Sequence, residues 1–185
     1  SEVVAGLQFQ RWLEELQNPE PVPTPAGLQA SLRPYQVHGY RWLYAMQKLG
    51  LGACLADDMG LGKTLQVIAL LLKLKAQKAG PSLIICPASL LGNWQAECRK
   101  FAPALQTRVL HRSALSKVEM EEMELVAERC SAGVDVVITT YLMASKSKAL
   151  QQTSWQLAIL DEAQAIKNAG TTQTLAVKKT RANSR

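Results

Sequence analysis

Leu55-Ala56-Asp57-Asp58-Met59-Gly60-Leu61-Gly62-Lys63-Thr64 is the stretch on which the reading of this chain turns. An apolar run, Ala53 to Ala56, precedes it, and an apolar-periodic segment through Leu74 follows. The predicted order is therefore buried strand, glycine turn, helix, the local architecture of a phosphate-binding loop. Gly60 and Gly62 let successive backbone N–H groups turn into one concavity, where they and the helix N-terminus can hold phosphate oxygens. Lys63 would reach the β- and γ-phosphates as a mobile point charge, and the Thr64 hydroxyl would ligate Mg²⁺. The strict pattern wants glycine where this chain has Asp57, so the motif is a near-match carried by its setting.

Working outward, the chain reads as strands alternating with helices. Pro34 suits a first helical turn, and Val37, Tyr40, Leu43 and Tyr44 form one apolar face of a helix running to about Leu49. Gln36, near its start, carries an amide with both donor and acceptor, suited to the edge of an adenine. Ser82 to Cys86 is a second strand candidate ending at Pro87; Ser89 is placed to cap a helix whose buried stripe is Leu90, Leu91, Trp94, Cys98 and Phe101. Thr107 to Leu110, Val134 to Thr140 and Trp155 to Leu160 are further strands, and Ser116 with Glu119 makes a capping box for an acidic helix. This alternation predicts an α/β fold with a parallel sheet covered by helices on both faces.

The last strand runs directly into Asp161-Glu162-Ala163-Gln164. Parallel sheets bind ligands beyond the carboxyl ends of their strands, so Asp161 is expected on the same edge as Lys63. Its carboxylate would share the Mg²⁺ with Thr64, and Glu162 would orient or deprotonate an attacking water. Lys63, Asp161 and Glu162 are the expected catalytic set. Phosphoryl transfer to water further requires an arginine at the transition state, and the sequence assigns none.

The termini and the composition set the frame. Leu7, Phe9, Trp12, Leu13 and Leu16 predict an amphipathic N-terminal helix within residues 1–17 that packs on the rest. Pro19, Pro21, Pro23 and Pro25 mark residues 18–31 as a linker, leaving residues 32–185 as one lobe. The 185 residues are 48% hydrophobic and 19% charged, a globular balance. The net charge is +6, and most acids after Gly80 fall between Glu119 and Glu128. Lys146, Lys148, Lys178, Lys179, Arg181 and Arg185 are left with few acidic neighbours, which fits either a face for a polyanion or solubilising lysines. Cys54, Cys86, Cys98 and Cys130 lack metal-site spacing and fit a reducing, cytoplasmic setting. The longest apolar run, Val67 to Leu72, is cut by Lys73, so no membrane span is expected.

Five segments in order resemble the first RecA-like lobe of the SWI/SNF-type ATPases of helicase superfamily two, a P-loop NTPase fold. Leu32-Arg33-Pro34-Tyr35-Gln36 resembles the family's adenine-reading segment, and Asp57 to Thr64 its phosphate loop, with Asp58 where Glu is usual. The resemblance implies nucleotide contacts from Arg33, Gln36, Asp58, Met59, Gly60, Leu61, Gly62, Lys63 and Thr64. Cys86 to Trp94 and Val137 to Tyr141 resemble its two DNA-backbone segments, implying contacts from Ser89, Asn93, Trp94, Thr139 and Thr140. Asp161-Glu162-Ala163-Gln164 resembles its acidic box, in which Gln164 replaces the commoner His as the link to the other lobe.

The family implies ATP·Mg²⁺ as cofactor, translocation along double-stranded DNA, and a second RecA-like lobe carrying the arginines. The Pro-rich approach suggests a bacterial, nucleoid-associated member. A nucleotide- and DNA-binding module without turnover of its own, or part of an RNA helicase, are the alternatives. The resemblance also implies that a strand following Arg185 belongs between the phosphate-loop strand and the acidic-box strand. The sheet is therefore expected to lack a central member beside Ala53 to Ala56, and the chain to be marginally stable, to close the gap by shifting strands, or to borrow a strand from a neighbouring copy.

Overall fold

The computed structural model describes residues 2–50, 53–54 and 61–161. Helix α1 (Glu2–Gln17) is followed by an irregular Pro-rich segment, then α2 (Pro34–Lys48) and β1 (Ala53–Cys54). Helix α3 (Leu61–Ala76), β2 (Ser82–Ile85), a 3-10 turn (Ala88–Leu90), α4 (Leu91–Phe101) and β3 (Thr107–Leu110) come next. The described chain closes with α5 (Lys117–Leu125), a second 3-10 turn (Ala127–Cys130), β4 (Val136–Thr139), α6 (Tyr141–Lys146), α7 (Lys148–Gln152) and β5 (Leu157–Leu160).

The strands pair in the order β1-β5-β2-β4-β3, every pair parallel. The register sets Ile84 against Ile138 and Ile159, and Val109 against Ile138. Because strand side chains alternate, each strand feeds two cores. Ile84, Val136, Ile138, Leu157 and Ile159 join the layer of α2, α3 and α4. Leu83, Ile85, Leu110 and Val137 face the layer containing Tyr141, Ala144, Leu150 and Trp155. Burial on both faces explains why β2 reads as Ser-Leu-Ile-Ile rather than as an alternating strand. Helix α3 supplies the widest apolar surface, with Val67, Ile68, Ala69, Leu70 and Leu71 at most 2% exposed.

The gap expected beside β1 is closed in one of the expected ways, by pairing with β5: Ala53 pairs with Ile159 and Cys54 with Leu160, so these backbone groups find a ladder partner. Three expectations are corrected. Residues 18–31 are irregular but no loose linker. Val22 and Leu28 are buried in the core, Arg41 Nε donates to the Val22 carbonyl at 3.0 Å, and Gln29 N donates to the Phe101 carbonyl at 2.7 Å. Prolines exclude a helix there, yet their carbonyls still accept: Tyr40 Oη donates to Pro23 O at 3.4 Å.

Helix α1 forms, but Val3, Val4, Leu7, Phe9 and Leu13 are exposed, so its apolar residues do not join the core; only its C-terminal part, around Trp12 and Leu16, is half-buried. Ser89, finally, caps nothing. The 3-10 turn satisfies the first donors with its own carbonyls, Leu90 N to Pro87 O at 2.9 Å and Leu91 N to Ala88 O, leaving the Ser89 hydroxyl exposed. The Ser116–Glu119 capping box does form, with bonds of 3.2 and 2.7 Å.

Candidate nucleotide and nucleic-acid site

All five strands run parallel, so their carboxyl ends share one edge of the sheet. That edge receives Cys86 to Leu90 after β2, Thr140 after β4 and Asp161 after β5. Asp58, Met59, Gly60, Glu162 and Gln164 lie outside the described residues, as do Lys178, Lys179, Arg181 and Arg185.

Gly62, Lys63 and Thr64 form the first turn of α3, where N–H groups lack intrahelical acceptors. The Thr64 side chain is buried and that of Lys63 half-buried. The N-terminus of α2 lies directly over this turn. A Cβ on Gly62 would stand 2.7 Å from Tyr35 Oη and 3.3 Å from Gln36 Nε2, so a side chain here would displace the exposed Tyr35 tip and press on Gln36. Gln36 is 5% exposed, well away from the solvated surface position usual for a helical glutamine. Its Oε1 accepts from Arg33 N at 2.8 Å, and its Nε2 points at the Gly62 carbonyl at 3.5 Å. The amide is thus held against the loop-helix turn, and Arg33 sits beside it as the residue before α2.

Asp161 is the most constrained polar residue of the edge, at 2% exposure. Its N donates to Ile85 O at 2.8 Å and its carbonyl accepts from Tyr141 Oη at 2.6 Å. Carboxylate Oδ2 accepts from Trp94 Nε1 at 2.7 Å, whereas Oδ1 is buried with no hydrogen-bond partner among the described residues. A buried carboxylate oxygen left without a partner is costly, and a hard cation is the partner that suits it. Among the described residues no three His, Cys, Asp or Glu converge. One carboxylate and one hydroxyl are what Mg²⁺ takes from a protein when phosphates and water supply its remaining ligands. The donor chemistry of Asp161 and Thr64 therefore fits the metal.

The five residues proposed for DNA contact divide. Ser89 and Asn93 are exposed at the end of β2 and the start of α4. Thr140 caps α6, its Oγ1 accepting from Met143 N at 3.2 Å. Two are corrected by their burial. Thr139 is fully buried and its hydroxyl donates to Leu110 O at 2.8 Å, bridging β4 to β3. Trp94 is 2% exposed, packed in the α3–α4 core with its indole N–H given to Asp161. Neither side chain is free to reach a phosphate. Trp94 was legible as a core residue from its stripe, and a buried indole N–H requires an acceptor, which points to an acid on a neighbouring strand end. Tyr141 carried no such signal, because its partner is a backbone carbonyl 20 residues away in sequence.

Buried thiols complete the surroundings of α4. Burial pushes Cys98 up to about 12, with Glu97 adding to the effect, and also raises Cys130. Such thiols are packing groups and not nucleophiles.

Comparisons with known proteins bear on the family and the fold. The family model described as the SNF2-related domain matches residues 35–185. A putative ATP-dependent helicase/translocase of Bacillus subtilis is 41% identical over 95% of this chain, which spans 20% of that protein. An ISWI chromatin-remodeling complex ATPase of Arabidopsis thaliana is 40% identical over 78% of the chain and 13% of its own length. Among solved structures, the Sulfolobus solfataricus SWI2/SNF2 ATPase core in complex with dsDNA superposes with a TM-score of 0.71 at 40% identity, over 88% of this chain and 32% of that one. The chain thus spans a fifth of the bacterial relative and about a third of the archaeal core. Its α/β sheet is that of the RecA-like ATPase core, and the chain belongs to the SNF2-related family.

Proposed function

We propose that this chain is the ATP-binding lobe of an ATP-dependent translocase on double-stranded DNA, and that it works in a cytoplasmic, nucleoid-associated setting together with a second RecA-like lobe. The observation that carries the reading is Asp161: a buried carboxylate with one oxygen unpartnered, on the sheet edge from which Lys63 and Thr64 also emerge. Asp161 and Thr64 hold Mg²⁺, which neutralises charge on the nucleotide's terminal phosphates. Lys63 draws those phosphates to the turn of α3, and Asp58 to Gly62 wrap them with backbone N–H groups. Arg33 and Gln36 take the adenine, Gln36 by exchanging its contact with Gly62 O for the base edge. Glu162 orients the attacking water, and Gln164 links the site to the second lobe, whose arginines meet the transition-state charge.

Ser89, Asn93 and Thr140 contact the DNA backbone. Such contacts are blind to sequence and sensitive to salt. Duplex affinity measured by anisotropy is expected to fall steeply between about 50 and 200 mM salt and to change little with sequence. Ser89→Asp with Asn93→Asp should weaken binding uniformly across sequences. A marked base preference at fixed salt, or no response to the double substitution, would overturn the nucleic-acid half of the reading.

A further inference from the structure

The two chain segments assigned to the DNA backbone share a feature beyond their exposed ends. In each, the residue next to the phosphate-facing one is hydrogen-bonded to Asp161. Asn93 is exposed on α4, and Trp94, the next residue, gives its indole N–H to Asp161 Oδ2 at 2.7 Å. Thr140 caps α6, and Tyr141, the next residue, gives its phenol O–H to the Asp161 carbonyl at 2.6 Å. The third tie, Asp161 N to Ile85 O, binds the residue to the strand that leads into Ser89 and Asn93. Asp161 is thus fastened on carboxylate, carbonyl and amide to the two segments that end at the nucleic-acid surface.

The geometry points to Trp94 and Tyr141 as positioning residues that couple nucleic-acid contact at Asn93 and Thr140 to the metal-holding carboxylate of Asp161. The inference rests on the functional reading above and adds a route within it. Trp94 occupies Oδ2, which fixes the carboxylate rotation and leaves Oδ1 as the oxygen for the metal. A shift of α4 on binding a phosphate at Asn93 moves the indole, and the indole turns the carboxylate. Tyr141 acts on the main chain: a shift at the α6 N-terminus moves the Asp161 carbonyl and with it the direction in which the chain leaves β5. Partners of metal ligands commonly change metal affinity 10- to 100-fold on removal, and by linkage whatever DNA does to the metal site the metal does to DNA affinity.

The test uses the 185-residue chain with Trp94→Phe, which keeps a ring and loses the N–H, and Tyr141→Phe, which loses one hydroxyl. The readout is the Mg²⁺ concentration at half-saturation for binding a fluorescent ATP analogue, with and without a short DNA duplex. In the parent, duplex is expected to lower that concentration several-fold. Trp94→Phe should raise it about tenfold and abolish the response to duplex; Tyr141→Phe should abolish the response with a smaller change in Mg²⁺ requirement. Both should keep the parent's affinity for duplex alone, since neither side chain touches phosphate.

The coupling is overturned if the parent shows no duplex effect, or if both variants keep the parent's half-saturation and duplex response within about twofold. Should Trp94→Phe fail to fold, Tyr141→Phe decides alone. Lys63→Ala separates the two levels of the argument. If it binds the analogue like the parent, the nucleotide reading falls and this inference with it; if it loses binding while the aromatic variants keep the duplex response, only this inference falls.

Discussion

Replacing Asp161 by Asn should stabilise the metal-free chain while removing its response to Mg²⁺. The effective penalty of a buried ion is several kcal/mol, and among the described residues the only side-chain compensation is the bond from Trp94, worth about 1.5–3 kcal/mol when charge-assisted. An asparagine keeps a neutral version of that bond, about 0.5–1.5 kcal/mol, and leaves an unpartnered amide that costs about 1–3 kcal/mol. The difference favours Asn by about 2 kcal/mol, or about 4–8 °C in Tm for a domain of this size. Differential scanning fluorimetry in chelator, then with Mg²⁺ and ATP, separates the two effects. The parent should melt lower in chelator and gain stability on adding Mg·ATP, whereas Asp161→Asn should melt higher and gain little. A variant that melts below the parent in chelator, or that responds to Mg·ATP as the parent does, would refute the assignment of Oδ1 as a metal oxygen.

Three further outcomes follow from the same geometry. Burial holds Cys98, ordinarily 9.0, and Tyr40, ordinarily 10.0, at about 12. The stability their protonated forms confer is complete below about pH 9 and is lost as pH rises toward 12. Urea midpoints should therefore be flat to about pH 8.5 and then fall; a flat profile to pH 11 would contradict it. Ser116→Ala should cost about 1 kcal/mol by removing the cap of α5. Glu119 is held low by its bonds to Ser116, so the box's contribution is present above the ordinary carboxylate range and fades as pH falls through the lowered value. A Ser116→Ala variant with the parent's urea midpoint at pH 7 would contradict this. In a coupled ATPase assay these 185 residues should show almost no turnover, with or without DNA, since the arginine contribution proposed for a second lobe is about a thousandfold or more. Vigorous hydrolysis would place that role on an arginine of this chain.

The elements were largely legible because the physics that makes them is local. Thr107–Leu110 appears with the predicted bounds, and β2, β4 and β5 lie within the predicted strands, because continuous apolar runs bounded by turn residues mark strands buried on both faces. The capping box at Ser116 needed only two residues three apart. Non-local facts escaped. Pairing of β1 with β5 joins Ala53 to Ile159, strands far apart in the chain, which no local pattern encodes. The seating of Val22 and Leu28 depends on α2 and α4 being near, so a Pro-rich segment read as linker is a strap. The short helices α6 and α7 went unread because six and five residues carry too little period. At the site, motif and strand order anticipated the placement of Lys63 and Thr64 in the first turn of α3 and of Asp161 directly after β5. Trp94 and Thr139 were read as phosphate contacts because a motif names residues without saying which way each points; burial decided both.

The most direct test of the account is a titration of the parent chain and of Lys63→Ala with a fluorescent ATP analogue in Mg²⁺. Lys63 stands in the first turn of α3, half-buried, and no hydrogen bond or ion pair joins it to another described residue. Its ammonium is therefore available to a phosphate. The account predicts weak, saturable, Mg²⁺-dependent binding by the parent and its loss in Lys63→Ala with the fold retained. Equal affinity of the two chains would contradict the claim that this sheet edge is a nucleotide site.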